Sequence, residues 1–149
     1  MENMNNKEYQ KYVEQKIPKP TYAKNMLFAF IVGGLICVFG QIIGNILSNY
    51  GLNKEKVAAG TSIILVFLGA FLTGLGVYDK IGKIGGAGAA IPITGFANSI
   101  VSPAMEFKKE GFIFGVASKM FNIAGPVLVY GVGSSVIVGI LYLILTKGG

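Results

Sequence analysis

The chain has 149 residues and a formal net charge of +6, with 52% apolar and 13% charged positions, where an average soluble domain carries about 25% charged residues. With a mean hydropathy of +0.61 it is neither a disordered chain nor an ordinary soluble enzyme, and its length allows one domain at most. It contains no His, no Trp and no Arg, and Cys37 is its one cysteine; His-based and four-cysteine metal sites, Ser-His-Asp and Cys-His nucleophiles and an internal disulfide are therefore excluded.

Residues 1–25 are polar and lack the apolar core of a signal peptide. Within them Tyr9, Tyr12, Val13 and Ile17 fall at helical spacing among lysines. That pattern predicts a short amphipathic helix on a membrane surface, stopped by Pro18 and Pro20, with a solvated lysine-rich tail as the alternative. Met26–Ser48 and Val57–Tyr78 follow, two windows without a charge. Each is long enough to cross about 30 Å of hydrocarbon, and the short segment between them makes the pair a transmembrane hairpin.

The third uncharged window, Ile84–Met105, is long enough to cross but carries Gly85, Gly86 and Gly88 at its start and Pro92 and Pro103 further on. Backbone inside hydrocarbon needs internal partners, so this window reads as broken or re-entrant. The fourth, Phe112–Thr146, holds only Lys119. Gly125-Pro126 divides it into a lead helix near 112–123 and a span near 126–146. The expected fold is an all-α integral membrane protein: a lysine-rich segment 1–25, then one transmembrane domain over 26–147 with about four spans, the third and fourth broken by Gly and Pro. Lysines 7, 11, 16, 19 and 24 place the N-terminus inside by the positive-inside rule. Lys80 and Lys83 do the same for the loop after the second span, and four crossings would put the C-terminus inside as well.

Polar residues recur at helical intervals inside these windows. Cys37, Gln41, Asn45 and Ser48 share one face of the first span, and Thr94, Asn98 and Ser102 share one face of the third segment. Such faces line a wet route or make hydrogen bonds between helices. Lys119, with Asn122 on its face, is a fixed positive charge at a vestibule or a side chain snorkelling to the interface. The candidate permeation residues are thus Thr94, Asn98, Ser102, Lys119, Asn122, Gln41 and Asn45. Small residues also recur four apart, at Gly40/Gly44, Ala70/Gly74, Gly111/Gly115 and Ser135/Gly139, a spacing that serves close packing within one subunit or homo-oligomerisation. The glycine strings match neither a dinucleotide loop nor a Walker motif. The N-terminal lysines suit anionic lipid better than nucleic acid. Every Asp and Glu lies outside the uncharged windows, so no acid–base pair, metal site or cofactor is expected, and the chain does not read as an enzyme.

Two runs carry a family likeness: Phe30-Ile-Val-Gly-Gly-Leu-Ile-Cys-Val-Phe-Gly-Gln41, and Gly86-Ala-Gly88 followed by Ile91-Pro-Ile-Thr-Gly-Phe-Ala-Asn98. Both resemble the stage V sporulation AC/AE-B membrane protein family. The continuation Ser99–Gly111 and the run Lys119-Met-Phe-Asn-Ile-Ala-Gly-Pro-Val127 look like its AC branch, as does Pro18-Lys-Pro20-Thr-Tyr22. The resemblance implies the inner membrane of a bacterial spore. It further implies a tension-responsive channel complex that moves dipicolinic acid, with calcium, into the developing spore and out at germination. The implied partners are the AE-B membrane protein and the soluble AD protein of the same complex. The motif positions Gly86, Gly88, Pro92, Gly95, Phe96, Pro103, Gly125 and Pro126 become candidate hinge elements by the same resemblance.

Overall fold

In the computed structural model, which describes residues 6–16 and 21–147, every regular element is helical. The first helix, α1, spans Asn6–Lys16. Tyr9 and Tyr12 are exposed on it and Val13 is half-buried. Ile17, Pro18, Lys19 and Pro20 lie outside the described residues. The next two helices are α2 (Tyr22–Asn49) and α3 (Lys54–Gly74). Asn53 caps α3, its side-chain oxygen accepting from the Lys56 N–H at 3.0 Å, and Glu55 sits in the first turn at the positive end of the helix dipole.

α2 and α3 pack antiparallel through glycines. A Cβ placed on Gly40 would lie 3.3 Å from Leu65, one on Gly44 3.5 Å from Thr61, and one on Gly60 3.0 Å from Leu47. This register sets Gly69 level with Ile36, near the middle of α2. The side of the membrane layer where α2 begins and α3 ends is called the near side below.

From the near end of α3 the chain turns back into the layer. α4 (Tyr78–Gly85) ends at Gly86, whose φ of +49° suits a residue without a Cβ. A single turn, α5 (Ala87–Ala90), follows, and Pro92 then opens α6 (Ile93–Glu106). Glycines seat this segment on its neighbours. A Cβ on Gly85 would lie 2.6 Å from Val32, and one on Gly88 would overlap the Ala29 carbonyl. Gly95 abuts the carbonyls of Ala89 and Ala90, and a Cβ on Gly69 would lie 2.7 Å from the Thr94 carbonyl. The α3–α6 contact is the most extensive in the chain. Thr94 lies against Gly69 and Asn98 against Thr73, so α6 runs in the same direction as α3 and leaves on the near side. Ile84–Met105 therefore enters to about mid-depth and returns.

Among the described residues three helices, rather than the four expected, are long and apolar enough to cross a membrane: Tyr22–Asn49, Lys54–Gly74 and the helical stretch Phe112–Thr146. The physical reason is length. With 14 residues α6 is about 21 Å long, short of the ~30 Å hydrocarbon layer.

A 3₁₀ turn over Phe107–Glu110 and Gly111 (φ +94°) reverse the chain once more, and a π-helical turn over Phe112–Ala117 leads into α7 (Ser118–Lys147). The expected division at Gly125-Pro126 is corrected here: α7 is continuous through both residues. Proline deletes one backbone donor, and membrane helices absorb that loss without ending. The discontinuity falls instead at Gly111 and the π turn, where Gly115 is pressed against the Phe107 carbonyl. α7 rests on α6 and the π turn near its start, and from Pro126 to Thr146 every residue is exposed.

This topology can be read by labelling. In a Cys37→Ser background, Lys80→Cys and Lys109→Cys are expected to react with a membrane-impermeant maleimide from one side, and Thr146→Cys from the other. Labelling of Lys80→Cys and Lys109→Cys from opposite sides would establish four crossings.

Candidate functional site

A helix broken inside the layer leaves backbone groups that neither water nor lipid can satisfy. Most are absorbed locally. The N–H groups of Ala89 and Ala90 both reach the Gly86 carbonyl at 3.1 Å, and those of Gly95 and Phe96 reach Pro92 O at 2.8 and 3.2 Å. The Ala89 carbonyl, at the end of the single-turn α5, is met by a side chain from α4. Tyr78 Oη lies 2.8 Å from Ala89 O and 2.7 Å from Thr94 Oγ1. Each hydroxyl has one proton, so the consistent arrangement is a relay: Thr94 donates to Tyr78 and Tyr78 donates to Ala89 O. Tyr78 and Thr94 are 3% and 6% exposed, which makes this a dry cluster.

One turn along α6 a second pair repeats the idea. Thr73 Oγ1 lies 2.6 Å from Gly69 O and 2.8 Å from the Asn98 side-chain amide. With the amide turned so that Nδ2 donates to Thr73, and Thr73 donating to Gly69 O, both contacts of the Thr73 hydroxyl are made. Beside this cluster α2, α3 and α4 line an apolar pocket of about 440 Å³ that is open on one side, with Val32, Phe39, Leu68 and Leu72 among its walls and Tyr78 and Thr94 its polar members.

The remaining candidate residues lie elsewhere. Ser102 is half-buried further along α6. Gln41 and Asn45 are exposed on α2, where Gln41 Nε2 donates to Asn45 Oδ1 at 2.9 Å. They line a groove between α2 and α3 with Ser48 and Thr61. Lys119 is half-buried at the start of α7, its Nζ 4.0 Å from the centroid of the Phe107 ring, while Asn122 is exposed. The seven residues thus fall in separate places within one chain. Thr94 and Asn98 are hydrogen-bonded to Tyr78 of α4 and Thr73 of α3. Of the hinge candidates, Gly86, Gly88, Pro92 and Gly95 build the re-entrant turn. Phe96 and Pro103 are half-buried in α6, and Gly125 and Pro126 are interior to α7. Among the described residues no group of three or more His, Cys, Asp or Glu could hold a metal ion.

The profile of the SpoVAC/SpoVAEB sporulation membrane protein family matches residues 25–141. The chain belongs to this family. It is 46% identical over 140 residues to Stage V sporulation protein AC of Bacillus subtilis (strain 168), covering 93% of each chain. No solved structure matches it. The matched span begins in the first turn of α2 and runs through most of α7, and it includes the re-entrant segment.

Tyr78 and Thr73 are the two residues that the sequence pattern did not single out. Tyr78 closes the second uncharged window, where an aromatic hydroxyl reads as an anchor at the membrane interface. Its partners lie across a chain break that periodicity cannot see. Tyr78→Phe is expected to strand the Ala89 carbonyl and destabilise the detergent-purified protein by about 1–3 kcal/mol, read as a lower thermal midpoint. An unchanged midpoint would remove Tyr78 from this role.

Proposed function

We propose that this protein is a subunit of a channel in the spore inner membrane that passes dipicolinic acid, with calcium, into the developing spore and out during germination, and that it responds to membrane tension. Membership in a family of sporulation membrane proteins supports the sporulation setting. The observation that carries the channel reading is the re-entrant segment. Irregular backbone at membrane depth occurs where it is buried in protein or borders a water-filled path, and here its turn reaches about the level of Ile36. A tension response fits helices that meet through glycines, because tilting such contacts accommodates a thinner bilayer. The other membrane and soluble subunits of the same complex, AE-B and AD, are the partners in this reading.

The test is efflux of dipicolinate from liposomes holding only this protein, with and without osmotic downshock. Release under downshock alone is the expected result. Asn98→Leu is expected to reduce that efflux at unchanged insertion, since the Thr73 hydroxyl keeps Gly69 O as its acceptor at 2.6 Å. Equal efflux from the variant would take this face out of the pathway.

A second reading is a membrane scaffold that recruits a soluble partner. It is favoured by α1, a separate helix with Lys11, Lys16, Tyr9 and Tyr12 exposed. Deleting residues 1–17 is expected to abolish assembly with the soluble subunit if this reading holds. Retained assembly, with efflux intact, favours the channel alone.

A further inference from the structure

Among the exposed faces of the described residues, two in the membrane layer stand out. The first is the distal part of α7. Val127–Thr146 is exposed throughout, and a Cβ on Gly131 or Gly139 would meet nothing within 4 Å. Gly131, Ser135 and Gly139 share one face of it. The second is the groove between α2 and α3, about 410 Å³, lined by Gly40, Gln41, Gly44, Asn45 and Thr61 among others. Its polar groups are incompletely paired. Gln41 donates to Asn45 Oδ1, and among the described residues the exposed Asn45 amide N–H groups have no acceptor. Polar groups facing hydrocarbon in this state cost several kcal/mol each, so lipid is a poor cover for the groove.

The two faces match in depth and in chemistry. Val101 and Met105 of α6 share a crevice with Val116 and Met120. Counting back from Val101 to Thr94 and forward from Met120 sets Val127 about level with Thr94, hence with Gly69 and Ile36. α7 rises in the same direction as α2, so Gly131, Ser135 and Gly139 come about level with Gly40, Gly44 and Ser48. The Ser135 hydroxyl donates to the Gly131 carbonyl at 2.8 Å, which leaves its oxygen as an acceptor on the same face as Gly131 and Gly139 and complementary to the Asn45 amide donors. The chain exposes 11942 Å², where a compact monomer of its mass exposes about 7,300 Å². The excess is on the scale of obligate interfaces, roughly 2,000–5,000 Å².

We infer that the α2–α3 groove of one copy receives the distal α7 of a second copy, the Ser135 face of α7 against Gly40, Gln41, Gly44 and Asn45. The α7 of the same chain does not fill this groove: it is continuous through Pro126 and packs on α6 and the π turn. Each copy offers one helix and one groove, a heterologous contact that closes into a ring when the rotation permits. This assembly stands whether or not the ring passes dipicolinate.

Cys37, exposed on α2 and the sole cysteine, is about level with Leu128. In liposomes holding the full chain alone, oxidation of Leu128→Cys is expected to give a ladder of disulfide-linked dimers, trimers and higher species. Adding Cys37→Ala should remove every linked species, the dimer included. Tyr130→Cys, on the opposite face of α7, should give no ladder. Gly131→Leu in the Leu128→Cys chain, where the monomer has open space, should lose the ladder at unchanged insertion. The inference is overturned by a monomer alone, or by dimers that never extend and survive Cys37→Ala (α7 against α7). It is equally overturned by a faster-migrating internal disulfide, by a ladder from Tyr130→Cys, by a ladder that persists in Gly131→Leu, or by one that forms only with another membrane subunit present.

Discussion

An interrupted helix inside an apolar layer must find partners for the backbone groups it frees, and the rest of this structure follows from how that is done. The chain cannot use water, so it uses the next helix. Tyr78 satisfies the Ala89 carbonyl and takes the Thr94 hydroxyl at the same time. That ties the start of α4 to the end of α5 and the start of α6. The re-entrant segment is thereby fixed at three points of its own length before it touches α2 or α3.

Its seat on those two helices is made of backbone against backbone. Gly88 meets Ala29 of α2, and Gly69 of α3 meets Thr94. Removing side chains from the contact brings the helix axes close and lets dispersion act over the whole seam, which is the main attraction available between helices in lipid. It also places Thr73 and Asn98 within hydrogen-bond distance. Each of these glycines therefore has a local explanation.

The sequence made some of this legible and hid the rest for physical reasons. Charge-free windows located α2 and α3 within a few residues of their ends, because hydrophobic length is a one-dimensional property. The glycines and prolines of Ile84–Met105 marked the interruption, because backbone conformation at Gly86 and Pro92 is local. Whether that segment crossed was not local. It depends on α6 running with α3 rather than against it, and that direction is set by contacts between residues distant in sequence. Pro126 misled in the opposite sense: a lost donor in a long apolar helix is too small a perturbation to end it. Among the polar residues, the shared face of Thr94 and Asn98 was visible from spacing. That it closes on α3 and α4 was not, because the partners Thr73 and Tyr78 lie on other elements.

Two kinds of polar group thus occupy the same layer. Those of the re-entrant turn are buried and paired within the chain, so they hold a single subunit together and need no neighbour. Gln41 and Asn45 are exposed and left partly paired at about the depth where α7 runs bare. A polar group in hydrocarbon is tolerated only with a partner, and a long helix without neighbours gains little in isolation beyond its own hydrogen bonds. Each deficit answers the other, and the continuity of α7 through Pro126 keeps them apart within one chain. The subunit is consequently complete at its near half, where α4, α5 and α6 pack, and incomplete at its far half. Assembly between chains is where the remaining polar and apolar surface is matched.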